Sequence, residues 1–229
     1  LEDGDLTFRR GTEDVTELKD AGAYTIVVNA PGYTAVELPF LILPKSIAGV
    51  DVEGPEDAAY NGAAQTPDVT LTDSGTALVP NTDFTLAYQS NIQAGTAQVV
   101  ITGQGNYTGV RAETFVITEK ALAEGDVGAL GDLVYTGGPQ RQSPAVTGLV
   151  EGRDYVLSYS GNQTDVGPVT VTVTGQGNYT GTVERTYRIT PKPLQDGWLT
   201  ITPGQVIYTG AAQEPLVLVA DGRTRLIPG

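Results

Sequence analysis

The chain has 229 residues, room for one large domain or two to three small ones, with 27 acidic against 13 basic residues and a formal charge of −14. That charge opposes nonspecific attraction to nucleic acid or anionic lipid. The absence of Cys, His and Met removes disulfides, thiol nucleophiles, the usual metal ligand and the commonest general base.

A chain that opens on Leu1 without Met is expected to be a piece of something longer. Neither a signal peptide nor a run of some 18 apolar residues is present to suggest membrane insertion of this segment. Abundant Gly and Pro, with Thr and Val in alternation, describe short strands joined by tight turns.

In chain order, the first segment with a recurring pattern is DAGAYTIVVNAPGYTAVELPFLILPKSI at 20–47. A longer unit follows: AYNGAAQTPDVTL at 59–71, then NTDFTLAYQSNIQAGTAQVVITGQGNYTG at 81–109 and ETFVITEKAL at 113–122. It is answered by VYTGGPQRQSPAVTGL at 134–149, GRDYVLSYSGNQTDVGPVTVTVTGQGNYTG at 152–181 and RTYRITPKPL at 185–194. A last opening, IYTGAAQEPLVLV, stands at 207–219.

The octapeptide TGQGNYTG recurs letter for letter 72 positions apart, and Tyr60, Tyr135 and Tyr208 lead their stretches at intervals of 75 and 73. This is a tandem repeat. It divides the chain into residues 1–43, the late part of a divergent repeat with Ala30–Tyr33 in place of the octapeptide; full repeats at 44–118 and 119–190; and 191–229, the early part of another. Lys45, Lys120 and Lys192 mark the joints.

Alternation such as Val169-Thr170-Val171-Thr172-Val173-Thr174 puts Val on one face of a strand and Thr on the other, and no dozen residues sustain a helical period. The expectation is an all-β chain of tandem small β-sandwich modules, with a β-grasp-like sheet as the alternative. The octapeptide is read as a turn joining the same two strands in each copy.

The order YTG-x-A-Q-x-P, G-x-DY-x-L-SY, TGQGNYTG and F-x-IT-x-K-x-L resembles the tandem Ig-like or MBG-type repeats of large bacterial cell-surface, adhesin-like proteins. The resemblance spans nearly the whole chain. It implies an extracellular, wall-attached or secreted location, a non-enzymatic stalk or spacer with a part in adhesion, and no catalytic residues or cofactor. The alternatives are a module binding a host glycan or host protein, and accessory repeats of a large secreted hydrolase.

Candidate ligand-binding residues are Asn106 with Tyr107 and Asn178 with Tyr179, because an aromatic ring flanked by amide and hydroxyl groups suits sugars. The competing reading packs these tyrosines against the end of a sandwich, as is expected of Tyr60, Tyr135 and Tyr208. Asp3, Asp5, Glu13 and Asp14, and Glu124 with Asp126 and Asp132, are candidate calcium ligands near repeat ends, although none forms a dense D-x-D-x-D loop. The joint lysines are candidates for isopeptide crosslinks or for solvated linker residues. Asn106, Asn162 and Asn178 head short sequons, and Trp198 is expected to fill a core. Asp83 and Asp154, the acidic pair that recurs with the repeat, are expected in a turn or cap. Partners within the fold are neighbouring repeats, and the complementary half-repeats at the two ends raise strand complementation between chains.

Overall fold

The computed structural model describes residues 6–222 and 224–226. Its helical turns are three residues long, at Ile47–Gly49, Glu124–Asp126 and Asp196–Trp198, and the rest of its regular structure is strand. Two compact units are present. One comprises Leu1–Leu122 with Leu149–Val156 and Thr174–Gly181; the other comprises Ala123–Gly148, Leu157–Val173 and Thr182–Gly229. The division therefore does not run along the repeat: three pieces of the second full repeat, 119–122, 149–156 and 174–181, belong with the first unit.

In the first unit, β1 (Leu6–Arg10), β2 (Glu13–Val15), β3 (Gly22–Val28) and β4 (Val36–Ile42) form an antiparallel sheet in the order β2-β1-β3-β4. The linker β5 (Lys45–Ser46) leads to β6 (Asp51–Glu53), β7 (Ala58–Ala59), β8 (Thr70–Asp73) and β9 (Thr76–Ala77), then β10 (Phe84–Gln89), β11 (Gly95–Gly103), β12 (Tyr107–Thr108) and β13 (Val110–Thr118). One sheet runs β6-β8-β9 and the other β10-β11-β13-β7. Ile47, Val50, Val69, Leu71 and Leu78 meet Phe84, Val99 and Ile101 in one buried cluster between them, so residues 44–118 form a β-sandwich. Each fully buried side chain of this size contributes about 1.5–3 kcal/mol. At its far end Ala97, Phe115 and Ile117 are covered by Tyr60 and Tyr88. The Tyr88 ring meets Phe115 edge-on at 6.3 Å, and its hydroxyl donates to Pro67 O.

After β14 (Lys120–Ala121) come β15 (Leu133–Val134), β16 (Tyr155–Ser160), β17 (Gly167–Gly175), β18 (Tyr179–Thr180) and β19 (Thr182–Thr190). The sheet order β15-β19-β17-β16 repeats that of β7-β13-β11-β10. Val169 and Val171 are buried with Tyr187 and Ile189 in the second unit, whereas Thr170 faces Thr186 across the strands at 3.4 Å. The alternation read from the sequence is therefore realised as Val inward and Thr outward.

The counterpart of the β6–β8 pairing in this repeat is reduced to an isolated bridge between Val127 and Val146, while β15 keeps the place of β7. The last segment forms a three-stranded sheet of β20 (Leu199–Thr202), β21 (Leu216–Asp221) and β22 (Thr224–Leu226).

Burial separates full repeats from partial ones. Ile47 is wholly buried while Leu194, its counterpart, is 61% exposed; Tyr60 is half-buried while Tyr208 is 91% exposed. Trp198 is half-buried rather than a core residue, and Lys192 Nζ lies 4.7 Å from its ring centroid. The cause is local: residues 191–229 hold no counterpart of the Phe84, Val99 and Ile101 side of the sandwich.

Candidate functional site

Each octapeptide is a turn whose backbone closes on itself. Tyr107 N–H donates to Gln104 O at 3.0 Å and Gly103 N–H to Gly109 O at 3.0 Å; Tyr179 and Gly175 do the same with Gln176 and Gly181. Gly103 and Gly175 permit this closure, because a Cβ at either would lie 2.8 Å from the backbone nitrogen of Thr108 or Thr180.

The turn reaches outside its own repeat. Asn106 Oδ1 accepts the Ala21 N–H at 2.7 Å, and Asn106 Nδ2 donates to Asp20 Oδ1 at 2.9 Å. In the next copy, Asn178 Oδ1 accepts the Ala94 N–H at 2.8 Å, and Asn178 Nδ2 donates to Gln93 Oε1 at 2.6 Å. Asp20-Ala21-Gly22 and Gln93-Ala94-Gly95 are matched loops before β3 and β11. The Asn of each turn therefore clasps the same loop of the repeat before it, and both clasps lie within the first unit.

The linkers join the same turns. Lys45 N–H donates to Asn106 O and Lys120 N–H to Asn178 O, each at 2.9 Å, as β5 pairs in parallel with β12 and β14 with β18. At the first joint Asp73 collects Lys45 Nζ at 2.5 Å and the Tyr107 hydroxyl at 3.0 Å. The Lys45 ammonium, then the tyrosine hydroxyl, hold the Asp73 carboxyl below its ordinary value, while burial first and Asp73 second push the Tyr107 phenol up. Lys192 pairs with Asp221 at 2.6 Å in the matching way.

At the second joint the Tyr60 and Tyr179 rings meet edge-on at 5.6 Å. They line an open cleft of about 550 Å³ with Gln93, Arg153, Asp154 and Asn178. Asp154 is buried and accepts from Val150 N–H at 2.9 Å and from Arg153 Nε and Nη2 at 3.0 and 2.8 Å. Arg153 foremost, with Val150 N–H assisting against desolvation, lowers its pKa. Asp83 accepts the Val79 N–H at 2.8 Å in the same turn. These two acids are capping groups, in keeping with their place at a strand start before an aromatic.

The four predicted ligand residues thus sit at two joints: Asn106 with Tyr107, and Asn178 with Tyr179. Both amides are engaged by the preceding repeat, and the Tyr107 ring packs against the sandwich core. Sequence alone does not single out the partner loops at Asp20-Ala21 and Gln93-Ala94. Their only signal is the matched Ala-Gly, which does not point to a residue some 85 positions away.

Of the calcium candidates, Asp3 and Asp5 lie outside the described residues. Asp14 pairs with Arg9, Glu124 with Arg185, Asp126 accepts from Ala123 N–H, and Asp132 accepts from Arg188 N–H. Among the described residues no three carboxylates gather as a metal site, and no helix is long and apolar enough to cross a membrane.

No protein-family model and no curated protein matches the chain. Among solved structures it is similar to Sidekick-1 immunoglobulin domains 1-5, at 12% identity and a TM-score of 0.21. The alignment covers 81% of this chain, which spans about half, 52%, of that structure's length. So distant a likeness bears no weight on function.

Proposed function

We propose that this chain is a non-enzymatic repeat segment of a bacterial surface or secreted protein, serving outside the cell as a spacer that holds a displayed domain away from its anchor and contributes to adhesion. The observation that supports this reading is the clasp used twice: Asn106 on Asp20 and Ala21, and Asn178 on Gln93 and Ala94. Catalysis needs one well-placed constellation, whereas a spacer needs each joint set as the one before. Sandwich cores that bury their own side chains, with joints made by backbone pairing and amide bonds, suit that role. The acidic surface keeps neighbouring molecules apart.

Small-angle X-ray scattering of the chain and of its Asn106→Ala, Asn178→Ala double variant tests the proposal. The expected result is a pair-distance distribution that is unchanged by calcium and broadened by the two substitutions. Identical curves for the two proteins would remove the fixed-joint basis of the spacer reading.

The cleft at Tyr60, Tyr179 and Arg153 favours a second reading, glycan binding at one joint, because two tyrosines and a cation line it. A glycan array with the wild type and Tyr179→Ala distinguishes it: binding abolished by the substitution supports it, and binding that is absent or unaltered discards it.

A further inference from the structure

Three loops in this chain share one design. Asp20-Ala21-Gly22, Gln93-Ala94-Gly95 and Asp165-Val166-Gly167 each precede the strand that runs up to the octapeptide position, and their glycines take φ of +151°, +129° and +154°. That backbone region strongly favours glycine, so the three loops share one backbone feature at this position. In the first two, a side chain bearing oxygen and the Ala N–H receive the Asn of a G-N-Y-T-G turn.

The third loop has the same two groups. Asp165 uses Oδ2 to accept from Asn162 Nδ2 at 2.7 Å, and its own N–H bonds Asn162 Oδ1 at 3.0 Å. No bond to Asp165 Oδ1 or to Val166 N–H occurs among the described residues, and the Val166 side chain is 50% exposed. The linker that accompanies such a joint is also in place: Lys192 pairs with Asp221 as Lys45 does with Asp73. Lys192–Leu194 forms no strand, whereas β5 and β14 are strands because a turn pairs with them.

We infer that the loop at Asn162–Gly167, with the strip Lys192–Leu194, is a docking site for the G-N-Y-T-G turn of a further repeat of this kind. The turn's Asn accepts from Val166 N–H and donates to Asp165, while its backbone carbonyl receives the Lys192 N–H. The occupant is specified by chemistry: a repeat whose β-turn carries Asn. The chain's own first repeat does not qualify, because Ala30-Pro31-Gly32-Tyr33 replaces the octapeptide and has no Asn before its Tyr. A second copy that offered residues 6–42 to the last half-repeat would cover apolar side chains but leave Val166 N–H without its acceptor.

The test extends the chain itself. Residues 1–221 are fused to a copy of residues 74–121, which joins the graft where Asp221 matches Asp73 and supplies a complete late half with its turn. A second fusion carries Asn106→Ala within the graft. Amide hydrogen exchange is followed at Val166, and at Leu199–Thr202 to report completion of the last sandwich.

The expected result is protection of Leu199–Thr202 in both fusions, and exchange at Val166 slowed about tenfold relative to the unextended chain only in the fusion that keeps Asn. Equal Val166 exchange in all three proteins overturns the inference. So does protection retained with Asn106→Ala, and so does a graft that fails to protect Leu199–Thr202. The inference rests on the joint geometry beneath the spacer reading, and the two fail separately: Ala21 and Ala94 protected with Val166 unprotected would leave the spacer standing and remove only the third socket.

Discussion

Asn178 and Ala94 are 84 residues apart in the chain, yet the Asn178 side-chain oxygen accepts the Ala94 N–H at 2.8 Å. Asn106 holds Ala21 at 2.7 Å in the same way. The two bonds make the repeated octapeptide part of a joint as well as a turn.

The joints differ in what surrounds the amide, and this separates their substitutions. Asn→Ala at either position removes two hydrogen bonds, at about 0.5–1.5 kcal/mol each, with the lower end expected at exposed Asn106. Asn→Asp discriminates further: at 106 it sets a second carboxylate against Asp20, whereas at 178 it faces neutral Gln93. Exchange of the Ala21 amide in Asn106→Asp is therefore expected to accelerate more than that of Ala94 in Asn178→Asp. NMR exchange rates of the two amides check this.

Closure of the turn predicts a steric penalty. Gly103→Ala brings a methyl group to 2.8 Å from Thr108 N, a backbone atom that cannot move aside alone. A loss of about 1–3 kcal/mol is expected, with a similar loss for Gly175→Ala. Gly49→Ala, where an added Cβ meets nothing within 4 Å, is expected to change the urea midpoint little.

The sandwich core of residues 44–118 gives a third expectation. Ile101 is wholly buried between the two sheets, so Ile101→Ala is expected to cost about 2–5 kcal/mol. Because Val169 and Val171 pack in a separate cluster of the second unit, exchange protection there should survive that substitution. Site-resolved hydrogen exchange reads both regions in one experiment.

Acid stability follows from Asp154. Its folded pKa is lowered, chiefly by Arg153, so the unfolded chain binds more protons at acid pH. The contribution is complete above the unfolded value, about 3.9, and is lost as pH falls through the folded value. Asp154→Asn keeps an acceptor for Val150 N–H but abolishes this titration. Urea midpoints between about pH 6 and about pH 2.5 should fall less steeply in Asp154→Asn than in the wild type.

Much of the fold is legible in the sequence because period-two patterns survive in single strands. Val169 to Thr174, read as a strand from its alternation, lies within β17. The early part of the second full repeat is less legible: the segments matching β6 and β8 form only the bridge between Val127 and Val146, since pairing is decided by partners that alternation does not reveal. Trp198 departs from expectation for a related reason, as a large aromatic side chain is buried only where an opposing sheet covers it. At the candidate site, the amide and ring of each N-Y pair stand out, but the loops they engage do not. A single Ala N–H carries no compositional mark.

The parallel pairing of each linker with a turn has a consequence for crowding. Bare strand borders recruit other chains, and repeats of nearly identical sequence invite mispairing between neighbours during synthesis. Lys45–Ser46 on Tyr107–Thr108, and Lys120–Ala121 on Tyr179–Thr180, form two-stranded sheets of their own, which engage the turns' backbone within the chain and place a charged residue at each. The linkers thereby withdraw each turn's backbone from pairing with another molecule.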